Sequence, residues 1–167
     1  MKPALNDLRP YTHRQESLSI SGPALQSLLR STLEQGAVFR FRAGGSSMSP
    51  FIRDGDIICI QDFGDRSPRV GQVVAYTRAG DGGLVVHRVV GKAKAGWLVQ
   101  GDHQSRKGAE LVKRGQLNGW VTSIERGGRI LRLGLGPERI LIAGFSRSGL
   151  LLPLIRLRSL LRRRHDR

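Results

Sequence analysis

The stretch QVVAYTRAGDGGLVVHRVV, residues 72–90, decides the fold of this chain. It holds two apolar runs, each of the length of a single β-strand. Between them lies Gly80-Asp81-Gly82-Gly83, a composition that favours a tight turn. We therefore predict an antiparallel hairpin whose strands are Gln72–Thr77 and Leu84–Val90.

Similar short runs lie on both sides of this hairpin. Strand patterns cover residues 38–41, Asp56–Gln61, Trp97–Gln100, Leu117–Glu125 and Arg129–Leu133. The chain has 167 residues, with 22 glycines and only 5% aromatics, which is typical of short strands and many turns. No internal repeat is visible. The sequence thus predicts a mainly β, antiparallel domain over residues 37–135.

One amphipathic helix is predicted before this domain, over residues 20–36. Ser21-Gly22-Pro23 has the composition of a helix start, and Gly36 has that of a helix end. Leucines between them recur at helical spacing, which favours packing against the domain core. Residues 1–19 are polar, without an apolar segment of the secretory type, and are predicted to be a flexible leader.

The last quarter of the chain is apolar and basic. From Arg126 onward there are eleven arginines, no lysine and two acids, which carries +9 of the net charge of +15. Residues 136–167 are predicted to form a basic amphipathic, helical segment, with Pro153 as a kink or a start. An anionic membrane surface would be contacted through Arg156, Arg158, Arg162, Arg163 and Arg164. A helix packed on the β domain and a solvated basic tail are the alternatives.

Composition limits the functions that the chain could have. Cys59 is the only cysteine, so an internal disulfide and a thiolate metal site are excluded, and no metal or cofactor is predicted. Arginines interrupt the longest apolar stretch, Ile140–Leu161, so we expect no membrane span. The expected location is cytoplasmic, or peripheral at the cytoplasmic membrane. Scarce aromatics make nucleic acid an unfavoured partner despite the charge.

Ser47 is the candidate nucleophile. Serine peptidases need an exposed hydroxyl, a base, a group that orients the base, and donors for the oxyanion. Gly45 and Ser46 precede Ser47 and would let a substrate carbonyl approach the backbone N–H of Ser47. Met48 and Pro50 would fix the turn and supply an apolar floor.

His87 and Asp102 are the candidate partners of Ser47. Imidazole has a pKa near neutrality without tuning, so His87 could serve as general base, although a histidine in an apolar strand is also a common structural residue. Asp102 ends a predicted strand and could orient His87, or could simply form a turn. On composition alone His103, His13 and His165 compete with His87 for the role of base, but His13 and His165 lie in the predicted tails and are discounted.

Four segments, in order, resemble the conserved boxes of type I signal peptidases, over roughly residues 37–125. They are Gly45-Ser46-Ser47-Met48-Ser49-Pro50 with Gly55-Asp56, then Gly71-Gln72-Val73-Val74, then His87-Arg88-Val89-Val90, and finally Gly101-Asp102. The resemblance implies a LexA/signal-peptidase-like β fold, with Ser47 as nucleophile and His87 as base. Bacterial members carry lysine at the base position, whereas the endoplasmic-reticulum-type and archaeal members carry histidine, as here.

The chain departs from this pattern at three points. The usual N-terminal membrane span is not expected. The usual second aspartate after the final box is missing, so that Asp102 would act alone or with help from Glu110. Gly45 stands where many relatives have a hydroxyl, so the oxyanion would depend on backbone N–H groups, with Ser46 as a further candidate.

The sequence therefore predicts a serine endopeptidase that cleaves a leader or signal-like peptide. A LexA-like self-cleaving regulator is one alternative, but such proteins pair serine with lysine and carry an N-terminal DNA-binding domain. A helix-turn-helix needs more than the single helix predicted before residue 37. Two further possibilities are a non-catalytic basic module that binds membrane or nucleic acid, and a relative of these peptidases that has lost activity.

Overall fold

The structure of the chain is a computed structural model that describes residues 22–105, 108–151 and 153. Two α-helices and eight β-strands are assigned within these residues. In chain order they are α1 Gly22–Glu34, β1 Phe39–Arg42, β2 Ile57–Gln61, β3 Val73–Thr77, β4 Leu84–Ala93, β5 Gly96–Gln100, β6 Glu110–Val112, β7 Leu117–Arg126, β8 Arg129–Leu131 and α2 Arg139–Ser148. The predicted mainly β, antiparallel class is confirmed.

The strands form one sheet in the order β1-β2-β7-β3-β4-β5-β6, and β8 pairs with the C-terminal end of β7. Every pairing is antiparallel. The predicted central hairpin is present as β3 and β4, with Val74 opposite His87 and Thr77 opposite Leu84. The hairpin thus fixes which side chains share a face with His87.

Two clusters of apolar side chains fill the interior. In the first, Leu29 and Leu33 of α1 pack with Met48, Ile58 and Val73. In the second, Val74 and Tyr76 pack with Val89, Trp97 and Val99. Because side chains alternate along a strand, Val73 and Val74 of β3 contribute to different clusters.

The ends of both helices follow from local sequence. At the end of α1 the Gly36 N–H donates to Leu33 O, and the Ala37 N–H donates to Thr32 O, which is the Schellman arrangement and agrees with the predicted stop at Gly36. Gly149, in the left-handed region, ends α2 in a similar way. α2 lies inside the segment predicted to be basic and amphipathic.

Some sequence predictions differ from the structure in detail. β4 extends to Ala93, past the predicted Val90, and β8 stops at Leu131, before the predicted Leu133. The short strand β6 was not predicted at all. The leader 1–19 and the five predicted membrane-contacting arginines, residues 156–164, lie outside the described residues.

Neither helix of the described ranges has the length and apolar character needed to cross a lipid bilayer.

Candidate active site

Ser47 and His87 line the same cleft, which has a volume of about 330 Å³. One wall comes from the end of β1 and the following loop, with Ala43, Gly44 and Gly45. The first part of β4, Leu84–Val86, also lines the cleft. The structure therefore brings together the predicted nucleophile and the predicted base, which are far apart in sequence.

The loop that carries Ser47 is fixed by its neighbours. Gly45 adopts a φ of +83°, which favours glycine, and its N–H donates to Asp54 Oδ1 at 2.8 Å. Met48 is buried and belongs to the first apolar cluster, so its side chain ties the turn to the core. Ser46 is exposed and Pro50 is half-buried, and neither belongs to the cleft lining that the structure describes. The Ser47 N–H donates no hydrogen bond to the described residues, so it is available as an oxyanion donor.

The turn that contains Asp102 also holds the backbone of Ser47 in place. Ser47 O accepts a hydrogen bond of 2.8 Å from the His103 N–H. A Cβ atom added at Gly101 would lie 2.6 Å from Ser47 O, so only glycine permits this close approach. The turn after β5 thus sets the position of the nucleophile, through contacts that the sequence did not reveal.

His87 lies at one end of a short chain of hydrogen bonds. Its side chain is nearly inaccessible to solvent, at 1% exposure. The Tyr76 hydroxyl lies 3.1 Å from His87 Nδ1 and donates to Glu110 Oε2 at 3.0 Å. Since the phenol has a single proton and gives it to Glu110, its oxygen accepts the proton of His87 Nδ1. His87 Nε2 is then the nitrogen that carries the free lone pair.

Burial keeps the imidazole neutral. Removal from water lowers the pKa of His87 to about 4, and the positive charge of Arg78 acts in the same direction, whereas the charge of Glu110 opposes it. Burial, reinforced by the bond to Glu110, raises the pKa of Tyr76 above its ordinary value. At neutral pH His87 is therefore an uncharged proton acceptor, beside a phenol that keeps its own proton.

The prediction that Asp102 orients His87 is wrong in this structure. Both Asp102 oxygens bind Arg88, with Nε to Oδ1 at 2.8 Å and Nη2 to Oδ2 at 2.6 Å, and both side chains have 0% exposure. The side chains of His87 and Arg88 point to opposite faces of β4, so the carboxylate that pairs with Arg88 is kept away from His87. The helper role suggested for Glu110 has a structural basis, although the contact passes through Tyr76.

Arg88 is a structural hub that the sequence did not single out. Its Nη1 donates to Gly71 O at 2.8 Å and to Gly134 O at 2.6 Å, in addition to the pair with Asp102. Ser146 of α2 also donates to Asp102 Oδ1, at 3.5 Å. The network joins β4, α2 and the turn that holds Ser47 O.

Tyr76 was also missed, because nothing in its local sequence marks a tyrosine in an apolar strand as functional. Its position in β3, in register with Val85 and two residues from the partner of His87, places it on the face that His87 occupies. No hydrogen bond joins Ser47 Oγ to His87 in the described part of the chain, so the Ser-His pair itself stays a prediction.

Comparison with known proteins identifies the family of the chain and its general class. The family model described as Peptidase S24-like matches residues 14–108, more than half of the 167-residue chain. The matched region includes Ser47, His87 and Asp102, and Glu110 lies just beyond its end. Among curated proteins, no match to the chain was found. The chain therefore belongs to the Peptidase S24-like family, within the LexA and signal peptidase superfamily, and its general class is that of a peptidase.

Proposed function

We propose that the chain is a serine endopeptidase in which Ser47 is the nucleophile and His87 is the general base. The observation that carries this proposal is the shared cleft, together with a neutral His87 whose Nδ1 is already occupied by Tyr76. Membership of a peptidase family supports the reaction class, and the local geometry supports the choice of residues.

The proposed reaction uses His87 Nε2, the nitrogen whose lone pair is free, as the proton acceptor. Nε2 takes the proton of Ser47 Oγ as the oxygen attacks the substrate carbonyl, and the Ser47 N–H stabilises the oxyanion. The imidazolium that forms keeps its Nδ1–H bond to Tyr76, and the Glu110 carboxylate stabilises its charge through the phenol. His87 then gives the proton to the leaving amine, and a water molecule completes hydrolysis of the acyl-enzyme by the same route.

The substrate is proposed to be an extended peptide held as an added strand. β5 pairs with β4 only from Arg88 onward, so no strand of the described residues covers the edge at Leu84–Val86. A peptide could pair with this edge and place its scissile bond at Ser47. Met48 and Ile52 make the floor apolar, which favours small apolar side chains at the cleavage site of a leader or signal-like peptide.

The test is cleavage of synthetic leader-like peptides, each with an apolar segment followed by small residues, monitored by mass spectrometry. We expect the wild-type protein to cleave, and Ser47→Ala and His87→Ala each to lose activity by at least about a thousandfold. Ser49→Ala and His103→Ala are matched controls, because they change the same residue types nearby and should retain activity.

Equal cleavage by the wild type, Ser47→Ala and His87→Ala would overturn the mechanism. Failure of the wild type on every peptide would overturn the substrate class. The mass of the protein itself should be followed in the same samples, since Ser47-dependent fragments of the chain would favour the LexA-like, self-cleaving alternative.

A further inference from the structure

The outer face of α2 carries apolar side chains where a surface helix normally carries polar ones. The buried residues of α2 are Ile142, Ala143 and Ser146. On the opposite side, Ile140, Leu141 and Phe145 are 60%, 65% and 40% exposed, and Leu150, just after the helix, is 53% exposed. We call these four residues the α2 surface.

Exposed apolar residues are concentrated in this part of the chain. Of the ten large apolar residues that are exposed in the described residues, six lie between positions 130 and 150. The other four are scattered, in α1, two loops and β6. Isolated apolar residues are ordinary on a protein surface, whereas a cluster marks a contact with a partner.

The charged residues in the stretch around α2 are almost all positive. Arg129, Arg132 and Arg147 are exposed in the same stretch and form no ion pair with a described residue, whereas Arg139 is half-buried and donates to Leu135 O at 3.2 Å. The only acid between residues 129 and 150 is Glu138, whose Oε1 accepts the N–H groups of Gly134 and Gly136. The stretch therefore attracts anions and repels other cations.

We propose that the α2 surface binds the interface of an anionic lipid bilayer, with α2 parallel to the membrane plane. Leucines and isoleucines inserted at the level of the acyl chains, and arginines at the level of the phosphates, are the combination that holds an interfacial helix. A second copy of the chain fits less well, because pairing through this face would bring two arginine-rich stretches together. The proposal does not depend on the chemistry assigned to Ser47.

Membrane binding at α2 would fix the position of the cleft relative to the bilayer. Ser146, on the buried side of α2, contacts Asp102, and its carbonyl oxygen accepts from Gln100 Nε2 at 3.2 Å. Both partners adjoin the turn that holds Ser47 O. The same surface that contacts lipid is thus linked, through buried groups, to the candidate nucleophile.

The test is sedimentation of the full chain with vesicles of equal parts phosphatidylglycerol and phosphatidylcholine, and with vesicles of phosphatidylcholine alone. We expect binding to the anionic vesicles that weakens as salt is added. The double variant Ile140→Ser, Leu141→Ser should bind at least about tenfold more weakly. A matched control, Val38→Ser with Leu111→Ser, removes two exposed apolar side chains elsewhere and should bind like the wild type.

A third variant distinguishes the contribution of the C-terminal arginines from that of α2. It replaces with serine the residues Arg156, Arg158, Arg162, Arg163 and Arg164. Unchanged binding by the α2 variant would overturn the proposal, whether or not the arginine variant loses binding. A dimer of the wild type in lipid-free solution that the α2 variant abolishes would also overturn it, in favour of a second copy as the occupant. Circular dichroism of each variant confirms that the fold is retained.

Discussion

His87 and Arg88 are adjacent in β4 and equally buried, yet their surroundings differ in kind. Arg88 makes four hydrogen bonds, two to Asp102 and one each to Gly71 O and Gly134 O, so nearly all of its N–H groups are occupied. Among the described residues, the His87 side chain has one hydrogen-bond partner, Tyr76, at one of its two nitrogens, and it also lines a cleft. A saturated buried group holds the fold together, whereas a group with spare hydrogen-bonding capacity beside a cleft is available for chemistry.

The largest expected effect is on the free energy of unfolding, when the buried and almost fully hydrogen-bonded Arg88 loses its counter-charge. Replacing Asp102 with alanine leaves the Arg88 guanidinium buried without a counter-charge, so the free energy of unfolding should fall by about 3–5 kcal/mol. Denaturant titration measures this, with the exposed Asp65→Ala as a control that should change by less than about 0.5 kcal/mol.

A loss below about 1 kcal/mol for Asp102→Ala would show that the Arg88 network is not a structural hub. The double variant Arg88→Met, Asp102→Leu should regain part of the loss, because it removes both buried charges together.

The next effect concerns the pH dependence of stability at His87. Its pKa is 6.5 in the unfolded chain and about 4 when folded, so between these values the unfolded state binds a proton that the folded state does not. Stability should therefore decrease as the pH falls from 6.5 to 4, with a contribution from His87 on the order of 3 kcal/mol.

Unfolding titrations of the wild type and His87→Gln across that range isolate this contribution, since other groups titrate alike in both proteins. His103→Gln, which also replaces a histidine but at an exposed position, is the matched control. Parallel pH profiles for the wild type and His87→Gln would contradict a buried, neutral His87.

Activity should respond more moderately to changes behind His87. Tyr76→Phe keeps the ring but removes the acceptor of the Nδ1–H, so we expect kcat to fall by about ten- to a hundredfold with little change in KM. Glu110→Gln should have a smaller effect, because the amide oxygen can still accept from Tyr76. Leu111→Ala, next to Glu110 on β6, should retain the wild-type kcat.

The result that contradicts this role is an unchanged kcat in Tyr76→Phe, at a melting temperature close to that of the wild type. It would mean that Tyr76 fills space and does not orient the base.

The smallest effect is a shift in the pH profile of kcat/KM. The acid limb should lie near the His87 pKa of about 4, well below that of free imidazole. Because the charge of Glu110 raises the pKa of His87, Glu110→Gln should move this limb to lower pH, by less than about one unit. A limb near pH 6.5 in the wild type would instead indicate an exposed histidine as the base.

Local sequence predicted most of the sheet, since strand patterns and glycine-rich turns act over a few residues. The hairpin of β3 and β4 appears with the predicted partners, because Gly80-Asp81-Gly82-Gly83 leaves few other turns possible. β6 was missed because three residues, Glu110–Val112, are too few to show a period. Yet this strand supplies the carboxylate that Tyr76 binds.

The sequence by itself determined the fold class and the end of α1, and it singled out Ser47 and His87 as candidate residues. Only the tertiary structure decided which carboxylate contacts which neighbouring side chain. Asp102 is nearer to His87 in sequence than Glu110 is. Because successive side chains of a strand point to opposite faces, however, Arg88 contacts Asp102 whereas His87 contacts Tyr76. These contacts depend on the registers of four neighbouring strands, β3 to β6, which are set by packing of the whole sheet and are not encoded by any local pattern.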